Sequence, residues 1–376
     1  MLFFLYNLTY IDERMQKECG KTEINDVRLA TEFKSKTFSE FKKTDVKKEL
    51  LKNLMQGSIE QSCYWSAELI CAGHYCDLWD IIILFYTKYV HLGGPKIAIY
   101  LDMRVKNFRE IVTTGYLDDE LRMRNCDKIR RLFCEIICIL CEAKRMHSYD
   151  DTKIRAEDFD LVHLSDKLNA PSVTFVEEVF KPNDPKELYV ALNEFAYNLS
   201  ESAKNSINAC FWVEWVLEFE KKCKANKQCI QCERRSFVDV NVAQQMDVVW
   251  LLWDVLLSYS AKKNNKFVQS AVQSLLNLFT MKYTTTCCKK RKYIIFFAVS
   301  LLTEQVVNAA ELTKNKEKVT AIVDNIDTIY KQIKQNERSP NTDYLFTGLG
   351  KSNLDKTIEK LEIMNGLNAD FIPRVE

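Results

Sequence analysis

The stretch Cys63-Tyr64-Trp65-Ser66-Ala67-Glu68-Leu69-Ile70, followed by Trp79-Asp80-Ile81-Ile82-Ile83, decides how the fold of this chain is interpreted. The same two signatures return later in the same order, as Cys210-Phe211-Trp212 and Trp253-Asp254-Val255-Leu256-Leu257. This repetition indicates an internal duplication of one helical unit. We expect the tryptophans of both copies to anchor the core, because large aromatic side chains at helical spacing beside Leu and Val are typical of core positions.

Local patterns around the first signature predict consecutive α-helices. Apolar residues between Val46 and Met55 recur on one helical face, and Gly57 can end that helix. Ser58 and Gln61 have the spacing of a capping box, which would start the next helix immediately. Short connections between such helices favour antiparallel hairpins.

Composition favours the same fold class. The chain has 376 residues, 47% of them apolar, which is ample for a large core. It contains nine Gly and six Pro, and no Gly lies between Tyr116 and Phe346, which disfavours tight hairpins and Gly-rich phosphate loops there. We predict an all-α fold of two related helical-hairpin bundles, arranged as a short α-solenoid or a pseudo-symmetric pair.

The order of these patterns divides the chain into segments. We predict an N-terminal arm (1–43), a first helical bundle (44–148), a connector (149–183), a second helical bundle (184–336) and a C-terminal tail (337–376). The second bundle carries a Cys-containing insert at 222–243, which accounts for the 41 residues between Trp212 and Trp253 against 14 between Trp65 and Trp79. A second capping box, Asp184 to Glu187, would start this bundle.

The insert suggests a metal site. The candidate ligands are Cys210, Cys223, Cys229 and Cys232. A structural zinc needs four soft ligands in a tetrahedron, and the single Cys-x2-Cys pair supplies only half of them. Unbound thiols are therefore favoured and no cofactor is assigned, with a structural zinc as the alternative.

Another group of cysteines lies in the apolar run Leu132–Cys141. Cys134, Cys138 and Cys141 recur on one helical face, where small thiols are typical of core packing. The run is apolar nearly all round, which predicts a central buried helix in which Glu135 needs a partner.

Basic residues cluster on a predicted helix at 121–131. They are Arg122, Arg124, Lys128, Arg130 and Arg131. Such a cluster can neutralise nucleic-acid phosphates. With 53 basic and 52 acidic residues, however, no overall field draws the chain to a polyanion. A solvated or protein-docking face is favoured, and DNA contact is the alternative.

No catalytic constellation stands out in the sequence. Gly350-Lys351-Ser352 has the form of the end of a phosphate-binding loop, but Leu345 occupies the position of its first Gly. The four histidines show no metalloprotease spacing. The apolar run Tyr293–Leu302 is shorter than the roughly 20 residues that span a bilayer. We predict a non-enzymatic protein without catalytic or cofactor-binding residues and without a membrane span.

Two resemblances add expectations about origin and role. Residues 47–106, above all Leu50–Leu69, resemble the helical oligomerisation domain of clamp-loader-like replication-associated recombination ATPases. Because the chain lacks their ATPase module, the resemblance implies self-association and no catalytic residue. The chain also resembles proteins of nucleocytoplasmic large DNA viruses through Cys63–His74, Lys331–Lys334 and Ser339–Phe346.

The second resemblance implies a viral protein made in host cytoplasm. Fourteen scattered cysteines in so large a chain also favour a reducing, intracellular location. We expect the host cytoplasm or a viral factory, with the nucleus or the virion as alternatives. The expected function is a helical scaffold or adaptor that binds protein partners, including other copies of itself. The alternative is a replication or repair accessory protein that contacts DNA through the basic helix 121–131.

Overall fold

A computed structural model describes residues 22–116, 121–147, 149, 152–307, 311–313 and 315–338. These residues form helices joined by loops, and their only β feature is an isolated bridge between Lys36 and Lys42. The predicted all-α class is therefore confirmed. The first 21 residues of the predicted arm and the tail beyond residue 338, including Gly350-Lys351-Ser352, lie outside the described residues.

The N-terminal half contains the helices predicted around the first signature. They are α1 (Lys43–Gln56), α2 (Ile59–Cys71), α3 (Tyr75–Phe85), α4 (Ile97–Gly115) and α5 (Asp127–Glu142). Gly57 ends α1 in the left-handed region, at φ 74°. The capping box predicted at Ser58 is not formed, because the Ser58 side chain makes no hydrogen bond to the first turn of α2. A π-helical turn (Tyr86–Val90) extends α3.

Short polar caps organise the C-terminal half. Its helices are α6 (Leu161–Ser165), α7 (Tyr189–Leu199), α8 (Ser206–Ala225), α9 (Val249–Lys262), α10 (Lys266–Thr280), α11 (Lys292–Thr303), α12 (Lys316–Asp324) and α13 (Asp327–Lys334). Asn205, Asn265 and Asn315 start α8, α10 and α12, each accepting a hydrogen bond from a backbone N–H in the first turn.

The two halves share one hydrophobic core. Every residue of α11 from Tyr293 to Thr303 is buried, and α11 packs on α7 to α10 and on the π-helical turn of the first half. Across this junction the rings of Tyr86 and Phe297 meet edge to face at 5.5 Å. Helix α4 also packs on α10, where Asn277 donates a hydrogen bond of 2.9 Å to Asp102. The N-terminal and C-terminal halves are thus joined through one apolar interior.

The repeated tryptophans differ in burial. Trp79, Trp212 and Trp253 are buried in the core. Trp65 is only half-buried and packs edge to face against Phe41, with ring centroids 5.5 Å apart. Trp65 is therefore not a fully buried anchor like the other three, and it packs against the core from its edge beside Phe41.

The described part of the predicted arm lies against the first half. Ile24, Phe33 and Phe38 are buried although their spacing shows no helical period. The Arg28 guanidinium stacks on Phe33 and Phe38 and donates a hydrogen bond of 2.8 Å to the Phe38 carbonyl. Isolated apolar residues fix this segment without regular secondary structure.

A buried ion cluster joins the start of the second predicted bundle to the Cys-containing insert. Arg235 is 1% exposed, and its guanidinium contacts Asp184 at 2.6 Å and Asp254 at 2.7 Å. Asp184 also accepts hydrogen bonds from the backbone N–H groups of Lys181 and Glu233. The capping box predicted at Asp184 to Glu187 is therefore wrong, because the Asp184 carboxylate is used by Arg235 and by these two loops.

Replacing Arg235 tests this cluster. We expect Arg235→Met to lower the free energy of unfolding by about 3–5 kcal/mol, because the buried Asp184 charge loses its partner. The matched control is Lys52→Met, which removes an exposed pair with Glu49 and should change stability by less than about 1 kcal/mol. Urea denaturation followed by circular dichroism measures both. Equal effects of the two substitutions would contradict this assignment.

Candidate functional site

A cleft of about 390 Å³ lies where the two halves meet, and we name it the seam cleft. Three parts of the chain line it: residues 75–80 of α3, residues 105–113 of α4, and residues 281–291, which connect α10 to α11. Met123 closes it from the turn before α5. Its volume is within the roughly 300–1,000 Å³ of ordinary ligand pockets.

Helical spacing produces the apolar floor of the seam cleft. Tyr75 and Trp79 lie one turn apart on α3, and Val105 and Phe108 lie on one face of α4. The Trp79 and Phe108 rings pack edge to face at 6.0 Å. Aromatic side chains held in this way present a rigid apolar surface.

The rim of the seam cleft is mostly cationic. Its basic side chains are Arg109, Lys282, Lys290 and Arg291. Arg291 donates hydrogen bonds to the carbonyls of Phe279 and Met281 and contacts Asp80 at 3.1 Å, which holds the connecting loop in place. Arg109 and Lys290 are exposed at the edge of the cleft. The rim therefore favours ligands with negative charge near their apolar part.

Two polar features add chemistry to the seam cleft. The Trp79 indole N–H is buried and has no hydrogen-bond acceptor among the described residues. A buried donor without a partner costs about 1–3 kcal/mol, so an acceptor on a bound ligand would be stabilising if it reached this N–H. Cys287 also lines the cleft, and a hydrogen bond from Cys288 lowers the pKa of its thiol.

The structure does not bring together the four cysteines of the zinc alternative, Cys210, Cys223, Cys229 and Cys232. Cys210 and Cys223 are 13 residues apart on α8, which separates them by about 20 Å along the helix axis. Cys229 is exposed, and the Cys232 thiol donates a hydrogen bond to the Asp247 carbonyl. Because Cys210 and Cys223 lie on one continuous helix, these four side chains cannot share one ion.

A different set of thiols does converge. Cys134 and Cys138 of α5 meet Cys63 of α2, with all three Sγ atoms within 4.8 Å of one another. We name this set the thiol cluster. The i, i+4 spacing on α5 was visible in the sequence, but the pairing of α5 with α2 was not.

The prediction that Glu135 needs a hydrogen-bonding partner is confirmed, because Tyr100 and Arg104 both donate hydrogen bonds to its carboxylate.

Much of the predicted basic patch is used inside the fold. The helix begins at Asp127, so Arg122 and Arg124 lie on a preceding 3₁₀ turn rather than on a continuous helix 121–131. Arg124 and Arg130 are buried, and Arg130 donates hydrogen bonds to the carbonyls of Arg124 and Thr22.

The remaining basic residues differ in their surroundings. Arg131 bridges Asp127 and Asp324, at 2.9 and 2.7 Å. Arg122 and Lys128 are exposed. Only part of the predicted patch therefore faces solvent.

Comparisons with known proteins give no information about the function of the seam cleft. The chain matches no protein-family model, and no curated protein or solved structure shows significant similarity to it. Within the described ranges, none of the helices combines the length and the apolar character that a bilayer crossing requires.

The Cys287 thiol allows a test of the chemistry in the seam cleft. Because the pKa of Cys287 lies below the ordinary value of 9.0, the reactive thiolate should already form well below that pH. We expect the rate of iodoacetamide alkylation at Cys287, measured by peptide mass spectrometry across pH, to reach its midpoint below pH 9.0. Cys288→Ala removes the hydrogen-bond donor and should move the midpoint upward. A wild-type midpoint at or above 9.0 would refute the lowered pKa.

Proposed function

We propose that this protein is a non-enzymatic helical adaptor. In this proposal the seam cleft binds a segment of a partner protein that presents an apolar side chain next to carboxylates. The observation that carries the proposal is the position of a rigid aromatic floor directly beneath a cationic rim.

The floor and the rim suit different parts of such a segment. Buried aromatic pockets supply most of the affinity in protein interfaces, because an inserted apolar side chain is fully desolvated. Exposed Arg109 and Lys290 would act on flanking carboxylates, steering association and selecting acidic partners. A volume of about 390 Å³ leaves room for side chains rather than a whole helix. In this proposal the partner contacts the rim and inserts one apolar side chain into the seam cleft.

The residues of the seam cleft favour binding over catalysis. General acid–base chemistry needs titratable groups placed to exchange protons with a substrate. Among the lining residues, Asp80 is the only carboxylate, and Arg291 engages it, while no imidazole lines the cleft that could act as a base for the Cys287 thiol. The DNA alternative is weakened as well, since Arg124 and Arg130 bind carbonyls of their own chain.

Charge reversal at the rim tests the adaptor proposal. The full chain, the double variant Arg109→Glu/Lys290→Glu and the control Lys48→Glu/Lys52→Glu are used to capture proteins from a cell extract. The control makes the same change in net charge on the exposed face of α1. We expect a partner retained by wild type and control but lost by the rim variant. With the purified partner, the rim variant should bind at least tenfold more weakly, a loss of about 1.4 kcal/mol.

Phe108→Ala adds a readout for the floor. The substitution should weaken the binding of the same partner without changing the salt dependence of that binding, because Phe108 supplies apolar contact and no charge. Partners retained equally by all variants would refute the seam cleft as the docking site.

DNA binding is measured separately. Fluorescence anisotropy with a labelled duplex at two salt concentrations should show weak binding with little salt dependence, because so few patch side chains can reach phosphates. Tight binding that falls steeply with salt, and that Arg122→Glu/Lys128→Glu abolishes, would support the DNA alternative instead.

A further inference from the structure

The thiol cluster combines the side chains of two helices in the core. Cys63, Cys134 and Cys138 are 2%, 3% and 0% exposed. The Sγ atoms of Cys63 and Cys134 are 3.9 Å apart, and Cys138 completes a triangle in which no edge exceeds 4.8 Å. None of the three is in a disulfide.

This triangle has the dimensions of a metal site. Thiolate sulfurs bind soft d¹⁰ metals at about 2.3 Å, so three of them in a plane around one ion lie about 4 Å apart. The distance of 3.9 Å between Cys63 and Cys134 therefore requires little movement of α2 or α5. A disulfide would require the same sulfurs to approach to about 2.05 Å.

The number of ligands selects the metal. Thiolates favour Cu(I), zinc and iron–sulfur clusters, but structural zinc takes four protein ligands. In the described part of the chain, no fourth Cys, His, Asp or Glu belongs to the group. Cys141, which lies one turn further along α5, donates its S–H to Ser62 at 3.5 Å. Three sulfurs alone suit Cu(I).

Each thiol that becomes a ligand releases its proton to solvent, so the sulfur–metal bond replaces the S–H bond without any change in oxidation state.

An ion can reach the cluster from one side. Cys63 lines a cleft of about 550 Å³ between α2 and the junction of α12 and α13, with Glu60 and Lys318 among its other lining residues. This second cleft shares no lining residue with the seam cleft. Cu(I) carried by a soluble thiol could exchange onto Cys63 first and then onto the two thiols of α5.

We propose that Cys63, Cys134 and Cys138 form a three-coordinate Cu(I) site that fastens α2 to α5. The site is independent of the adaptor proposal. Its occupancy rises with the availability of Cu(I) and with pH, because protons leave when the metal binds.

The experiment uses the full chain, reduced and metal-free, in the absence of oxygen. Exposed Cys76 and Cys229, and Cys287 of the seam cleft, are replaced by serine in every protein compared, so that these accessible thiols do not contribute. Cu(I) is titrated against the chelator bicinchoninate, and retained copper is measured by mass spectrometry. The variants are Cys63→Ser and Cys134→Ser. The matched controls Cys71→Ser and Cys141→Ser remove buried thiols from the same two helices but outside the cluster.

We expect one tightly held Cu(I) in the parent protein and in both controls, and at least tenfold weaker binding in both cluster variants. Circular dichroism and thermal melting establish that each variant is folded. X-ray absorption of the copper-loaded parent gives a readout that needs no variant, with three sulfur neighbours expected.

Three results would overturn the copper site. They are failure of the parent to retain Cu(I) against the chelator, equal loss in the controls, and nitrogen or oxygen neighbours at the metal. Tighter retention of Zn(II) than of Cu(I) by the same three cysteines would overturn the choice of metal.

Discussion

Helix α11 imposes the constraint on which the rest of the structure depends. A helix that is apolar on every side must be covered on every side, and Tyr293 to Thr303 are all buried. Helices of the second half cover much of α11, and the π-helical turn of the first half also packs against it. The seam cleft lies beside this junction, because the loop that enters α11 forms one wall of the cleft and α3 and α4 form the other.

Charged groups follow a second constraint, since a buried charge must be paired and hydrogen-bonded. Arg235 satisfies it with Asp184 and Asp254, and Arg130 satisfies it with carbonyls of its own chain. These intramolecular contacts determine which basic residues remain exposed at the surface. Within the basic cluster at 121–131, Arg124 and Arg130 are buried and stabilise the fold. The rim of the seam cleft instead combines exposed Arg109 and Lys290, which come from two distant segments of the chain. Counting charges along the chain cannot separate these cases.

Local patterns predicted much of the fold and little of the site. Helical spacing and Gly57 located α1 and α2 closely, because periodicity and caps are short-range properties. The π-helical turn was not predictable, since it depends on long-range contacts such as that between the Tyr86 and Phe297 rings. The loop that follows it depends on them as well, because a Cβ on Gly93 would clash with the Lys144 carbonyl oxygen. The seam cleft could not be predicted for the same reason, because α3 and α4 on one side of it are more than 150 residues from the loop on the other side. The zinc hypothesis failed to account for the rigidity of α8, which holds Cys210 and Cys223 apart.

Helix α5 links the thiol cluster to the seam cleft. Phe133 directly precedes Cys134 of the thiol cluster, and its ring packs on Trp79 at 5.2 Å and on Phe108 at 5.6 Å, both of which line the seam cleft. Close-packed interiors transmit small displacements, because few voids are available to absorb them. Even a small displacement of α5 when a metal binds would thus act on the floor of the seam cleft through Phe133. Any such coupling is reciprocal: if the metal changes the affinity of the partner by some factor, the partner changes the affinity of the metal by the same factor.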